Sequence, residues 1–261
     1  MTVDTLRFAT YLSPNIYETY AFIARSIGKK LGRPVKLSAG QSFEAFAHRQ
    51  VDVAFLCGLP YTQLADEPAS PIELLAAPVL CGERYQQRPI YFSDVVVRAD
   101  SSFTSFDDLR DCIWAYNQRT SHSGWNIVCH TLAERGLTFD YFGALVETGS
   151  HLRSLSLVLD GVADATAIDS QVLDAFLQQE KQRAASLRVI DMFGPSPIPP
   201  IVIARSLDPN LKRQIQDALL TLHEEPGAAD ALRQGAIERF VSVRDEDYHP
   251  IREMCQQAAL I

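Results

Sequence analysis

The chain has 261 residues, 47% of them hydrophobic and 21% charged, with a formal net charge of -8. That is enough apolar material for one large or two medium globular domains without covalent staples. Lys and Arg are spread along the chain without a basic run, which argues against a nucleic-acid surface and leaves a small ligand as the expected partner.

The elements alternate from the start. "LRFATY" (6–11) reads as a short buried strand, and Ser13-Pro14 stops it and opens a helix. In that helix Ile16, Tyr20, Ile23, Ala24, Ile27 and Leu31 recur at spacings of three and four, and Lys29, Lys30 and Gly32 close it. A strand at 34–40, a short helix at 42–50 and the apolar run "VDVAFLCG" (51–58) follow. Near-continuous apolar strands separated by helices predict a parallel sheet covered on both faces. The second half repeats this grammar with strands at 91–98, 112–116, 141–149, 163–169, 187–193 and 199–205, and helices at 105–110, 123–135, 151–160 and up to about 181. From Asp208 the tail is expected to be helical, with breaks near Pro226-Gly227 and before Asp245. The length fits a pair of α/β lobes better than a single sheet.

Ligands of such sheets settle at the carboxyl ends of strands, where helix N-termini point. "AYNQRTSHSG" (115–124) stands at such a place, between a strand end and a helix start. Thr120, Ser121 and Ser123 surround that helix start, where hydroxyls and unpaired backbone N–H groups can converge on an anion. A plain alternative is that Ser121 or Ser123 only caps the helix. Cys57, Cys81, Cys112, Cys129 and Cys255 are widely spaced and show no zinc-type clustering, so most of them read as small buried hydrophobes. The first residues lack a basic region followed by a long apolar stretch, and no later segment approaches the roughly 20 apolar residues of a membrane span. The expected compartment is therefore cytoplasmic if Met1 is the native start, or periplasmic if an export signal has been removed.

The motifs "KKLGRPVKL", "SFEAFAHRQVDVAFLCGLPY", "LLAAPVL", "YFSDVVVRADSSFTSFDDLRDCIWAYNQRTSHSG", "TGSH" and "VADATAIDS", in that order over residues 6–205, resemble the substrate-binding proteins of phosphate, phosphite and phosphonate ABC transporters. The resemblance implies a type II periplasmic binding protein fold, α/β and two-lobed. Each lobe would hold a mainly parallel sheet, and the ligand would lie in the cleft between them. The first lobe would hold 1–91 and 193–261, the second 92–192, with the C-terminal helices packed on the first. It further implies that Thr120, Ser121 and Ser123 hold a phosphorus oxyanion, joined by Tyr61, Tyr91, His151 and Asp169. Tyr11 is a candidate wall residue without a motif behind it.

Tyr61 and Tyr91 would offer phenol O–H groups from the first lobe, with packing as the alternative. Asp169 either caps the helix that begins near Ser170 or meets a donor on the ligand. His122 departs from a loop that is usually small or hydroxylic in the family, so its imidazole is expected to narrow or recharge the pocket. The expected function is non-catalytic binding of a phosphate-like or phosphonate anion, for a transporter permease or as a sensor. The alternative is a biosynthetic enzyme on the same fold, which lobes alone cannot distinguish. Neither a metal nor an organic cofactor is implied, and no Gly-x-Ser-x-Gly, HExxH or P-loop motif is present.

Overall fold

The computed structural model describes residues 4–258. Strands are β1 (Leu6–Thr10), β2 (Val35–Ala39), β3 (Val53–Phe55), β4 (Ile72–Leu80), β5 (Ile90–Arg98), β6 (Ile113–Tyr116), β7 (Ala144–Glu147), β8 (Ala165–Asp169), β9 (Leu187–Pro197), β10 (Ile201–Ala204) and β11 (Ile237–Val241). Helices are α1 (Tyr17–Leu31), α2 (Glu44–Ala47), α3 (Gly58–Ala65), α4 (Ile127–Glu134), α5 (His151–Leu159), α6 (Ser170–Gln179), α7 (Lys181–Ala184), α8 (Pro209–Leu220), α9 (Ala228–Arg233) and α10 (His249–Ala258).

The chain divides into two compact units, residues 1–90 with 197–248 and residues 91–196 with 249–261. The first carries a six-stranded sheet in the order β11-β4-β10-β3-β1-β2. β1 pairs in parallel with β2 and β3, whereas β10 runs antiparallel to β3 and β4, and β11 antiparallel to β4. The sheet is therefore mixed, because the chain returns from the second unit to fill the place between β3 and β4. α1 buries Tyr20, Ile23, Ala24 and Ile27, as its spacing predicts, and ends at Gly32 in the left-handed region with φ 63°. That conformation suits glycine, and the Gly32 N–H closes the last turn on the carbonyls of Gly28 and Lys29.

Two strands depart from the sequence reading. Ile237–Val241 lies inside the tail expected to be helical, yet it pairs with β4 and buries Ile237 and Phe240. Its β-branched and aromatic residues suit a pleated, half-buried surface, and the edge of β4 supplies the partner. β4 itself, an apolar run quoted only as a motif, is a nine-residue strand.

The second unit has a five-stranded sheet in the order β7-β6-β8-β5-β9. β6 runs parallel to β7 and β8, and β5 runs antiparallel to β8. Its core is aromatic: Trp114 stacks on Phe142 with ring centroids 4.7 Å apart, and Phe106 meets Trp114, Tyr141, Phe142 and Phe193. The C-terminal helix, expected on the first lobe with the rest of the tail, belongs to this unit. The reason is a distant partner surface: Met254 on α10 packs against the cluster that contains Trp114, Ile127 and Leu132. The chain also passes between the units at 90/91 and 196/197 instead of 91/92 and 192/193, which places Tyr91 in the second unit.

Candidate anion site

The candidate site is built where β6 ends. Past Tyr116 the chain turns through Asn117 to Thr120, and a single π-helical turn, His122–Asn126, leads into α4. Such wide turns leave backbone groups at a helix start without intrahelical partners and occur preferentially at functional sites. Ser121 is the N-cap, and its hydroxyl oxygen accepts from the Gly124 N–H at 3.1 Å. Capping and ligand binding are not exclusive here, because the cap uses a lone pair and leaves the hydroxyl proton to donate. Ser121, Ser123 and Gly124 are buried, while Thr120 is exposed in the turn.

The "TGSH" turn is stitched onto this loop. Thr148 and Gly149 donate their N–H groups to the carbonyls of Tyr116 and Asn117 at 2.9 and 2.7 Å, continuing the parallel register of β6 and β7 past the strand ends. Ser150 caps α5 through the Arg153 N–H, and His151 is its first residue. The imidazole of His151 thereby meets two loop residues: its Nε2 lies 3.3 Å from Asn117 Nδ2 and 3.2 Å from Ser123 Oγ. Asn117 Nδ2 is a pure donor, so Nε2 accepts and the proton of the neutral ring sits on Nδ1. Among the described residues that buried Nδ1 has no hydrogen-bond partner, so its proton is uncommitted. Ser123 competes with Asn117 for one lone pair, so its hydroxyl is free to turn toward an anion.

Burial holds the His151 pKa down at about 4, so the ring donates as a neutral group near pH 7. Gly124 permits this assembly: a Cβ there would lie 2.1 Å from Asn117 Oδ1 and 3.3 Å from His151 Cε1. Asn117 is the residue whose role the sequence reading missed. Its position at the end of an apolar strand, first in the polar run, was the available signal.

Asp169 ends β8 and acts as the N-cap of α6, with Oδ1 accepting from Gln171 N–H at 2.8 Å and Val172 N–H at 3.3 Å. Burial pushes its carboxyl pKa up to about 7, with the cap hydrogen bonds opposing and Asp94 adding to the rise. Asp169 and His151 engage separate partners, and the acid–base pair that an enzyme reading needs is not formed by them. Ser123 and His151 do touch, but a base held near 4 is poorly matched to neutral pH and lacks an acid on its second nitrogen.

Three expectations are corrected. His122 neither narrows nor recharges a pocket: it is fully buried, Nδ1 accepts from Asn126 Nδ2 at 3.0 Å and Nε2 faces Ser196 Oγ at 3.2 Å. Burial, with a smaller contribution from His130, holds its pKa at about 3, so it stays neutral. Tyr61, in the first unit, donates its hydroxyl proton to Asp245 Oδ1 at 2.6 Å, beside a cavity of about 290 Å³ lined also by Ser70, Glu73 and Arg205. A phenol has one proton, so Tyr61 is not an oxyanion donor in this arrangement. Tyr91 is buried, its ring 6.4 Å from that of His122, and belongs to the second unit. Tyr11, also in the first unit, packs on Phe43 and over Gly40 and donates its hydroxyl to the Ser42 carbonyl at 2.8 Å. In this arrangement Tyr11 has a packing role in the first unit, with its hydroxyl proton already given to the backbone.

Among the described residues no cluster of three or more His, Cys, Asp or Glu is arranged to hold a metal, and no helix is long and apolar enough to cross a membrane. The family model described as "ABC transporter, phosphonate, periplasmic substrate-binding protein" matches residues 8–248, almost the whole chain. The chain belongs to this family. Structures of similar proteins share the fold of this phosphonate-binding family member. The binding-protein component of a phosphonate ABC transporter from Pseudomonas aeruginosa superposes with a TM-score of 0.85 at 17% identity, covering 99% of this chain and 88% of that one. PhnD1 from Prochlorococcus marinus, solved with methylphosphonate, gives 0.85 at 17% identity and covers 98% and 99%. A Xanthomonas citri protein bound to ATP gives 0.71 at 15% identity and covers 98% and 97%. The fold is that of the type II periplasmic binding proteins.

Proposed function

We propose that this family member binds a phosphonate or a closely related phosphorus oxyanion without cleaving it, and presents it to a transporter permease. The observation that carries this reading is the buried His151 imidazole, whose Nδ1 has no partner among the described residues and whose Nε2 meets Ser123 Oγ, at the helix start that Ser121 caps. Thr120, exposed in the same turn, adds a further hydroxyl. These donors are neutral, and a desolvated anion is held by several oriented dipoles as well as by one cation, without a competing counter-charge. Nothing in the cluster pairs a nucleophile with an activated base, which favours binding over catalysis.

Asp169 supports a selectivity proposal. With its carboxyl near 7, it faces a ligand either as a protonated donor or as an acceptor for a ligand proton, and it disfavours a fully ionised neighbour. Methylphosphonate, phosphate, phosphite and aminoethylphosphonate should therefore bind better than sulfate. Thermal shift and calorimetry across these five compounds test the reading. At free ligand 100 times the dissociation constant, linkage gives roughly 2.7 kcal/mol of stabilisation. A flat response to all five removes the proposed ligand class, and turnover of any one of them replaces binding by an enzymatic reading.

A further inference from the structure

His122 is unexplained by anion binding, since its side chain faces away from the ligand donors into the interior. What it touches is informative. Its Nδ1 accepts from Asn126, so the ring proton lies on Nε2 and is given to Ser196 Oγ at 3.2 Å. Ser196 is fully buried on β9 and is the last residue before the chain leaves this unit. A second tie runs to β5, the strand by which the chain enters: Ser93 Oγ donates to the Ser123 carbonyl at 2.7 Å, again fully buried. Both strands that carry the chain into and out of the unit are thus hydrogen-bonded to adjacent residues of the anion loop.

We propose that His122 is a positioning residue which, together with Ser93, orients the 122–124 peptides and couples occupancy of the loop to β5 and β9. The proposal rests on the reading of this loop as the anion site. Its physical basis is preorganisation. The Ser123 carbonyl is fixed by Ser93 and the His122 side chain by Ser196, so the Ser123 N–H between them is held in place before the ligand arrives. Coupling is reciprocal: a loop tightened by an anion tightens the two strands, and any displacement of Ser93 or Ser196 changes the affinity of the loop by the same factor. Neutral His122 holds one tautomer across the physiological range, which keeps the direction of the tie to β9 fixed.

The test uses methylphosphonate, with calorimetry for affinity and amide hydrogen exchange for β5 and β9. Neither Ser196→Ala nor Ser93→Ala removes a proposed ligand donor, and each is expected to weaken binding about two- to thirtyfold, the range typical of residues acting through a coupled network. His122→Gln keeps a donor that reaches Ser196 and should bind within about threefold of the parent, whereas His122→Leu should behave like Ser196→Ala. Saturating methylphosphonate should slow exchange in β5 and β9 of the parent, and much less so in the Ser93→Ala/Ser196→Ala double variant at equal saturation. A role confined to stability would lower the melting temperature while leaving affinity and the ligand-induced protection unchanged, and that result overturns the proposal. If Ser196→Ala fails to fold, the contrast between His122→Gln and His122→Leu decides. Absence of any binding to the parent removes the ligand reading itself, and this proposal with it. Binding that is indifferent to all four substitutions removes this proposal alone.

Discussion

Replacing Asp169 by Asn separates the two roles that its position permits. Asn keeps the side-chain oxygen that accepts from Gln171 and Val172, and Asn and Asp are comparable N-caps, so the start of α6 should survive. What disappears is the ionisation. In the folded protein the carboxyl is pushed from the ordinary 3.8 to about 7, chiefly by burial. Between those values the folded chain keeps a proton that the unfolded chain releases, so this group makes stability fall as pH rises through the window. At roughly 1.4 kcal/mol per pH unit the ceiling is about 4 kcal/mol, and local relaxation around the charged form should leave a slope of about 1 kcal/mol per pH unit or less. Urea denaturation of parent and Asp169→Asn from pH 4.5 to 7.5 measures it. The variant should match the parent at the acid end and gain on it steadily toward pH 7.5. A stability difference that does not change with pH refutes the account of a buried, proton-retaining carboxyl. In the same proteins, discrimination between methylphosphonate and sulfate should relax on substitution, and unchanged selectivity reduces Asp169 to a cap.

Ser123→Ala should cost about 1.5–3 kcal/mol of methylphosphonate affinity by calorimetry with little change in stability, whereas Ser121→Ala should lose a similar affinity and in addition about 1 kcal/mol of stability as the Gly124 N–H loses its cap. Gly124→Ala forces a Cβ to within 2.1 Å of Asn117 Oδ1. It should destabilise by about 1–3 kcal/mol in denaturation experiments and weaken binding at least tenfold, because Asn117 can yield only by releasing His151. His122 and His151 are held at about 3 and about 4, against 6.5 when unfolded. The unfolded chain therefore binds protons the folded one refuses, and their contribution to stability is complete above pH 6.5 and is lost as pH falls through about 4 for His151 and about 3 for His122, opposite in sign to that of Asp169. Melting temperatures of His122→Gln against pH should show a shallower acid loss than the parent.

The alternation of apolar runs with amphipathic helices was enough to determine an α/β chain, because burial of one face imposes a period that is visible residue by residue, as in Tyr20, Ile23, Ala24 and Ile27 of α1. The hydroxyl-rich loop was equally legible, since a strand end followed by Thr120, Ser121 and Ser123 before a helix is a local pattern. Local pattern also offered the cap at Asp169 as one of two readings. It could not say that β11 leaves a helical tail to pair with β4, or that α10 joins the second unit, because both depend on a partner surface far away in the chain. The fates of His122, Asn117 and Tyr61 were settled in the same way. A side chain's proton goes to whichever acceptor the fold brings near, and Ser196, His151 and Asp245 lie 74, 34 and 184 residues from their partners. Spacing along a sequence carries no information about such meetings, and only the packed sheets decide whether a polar group faces a ligand or the interior.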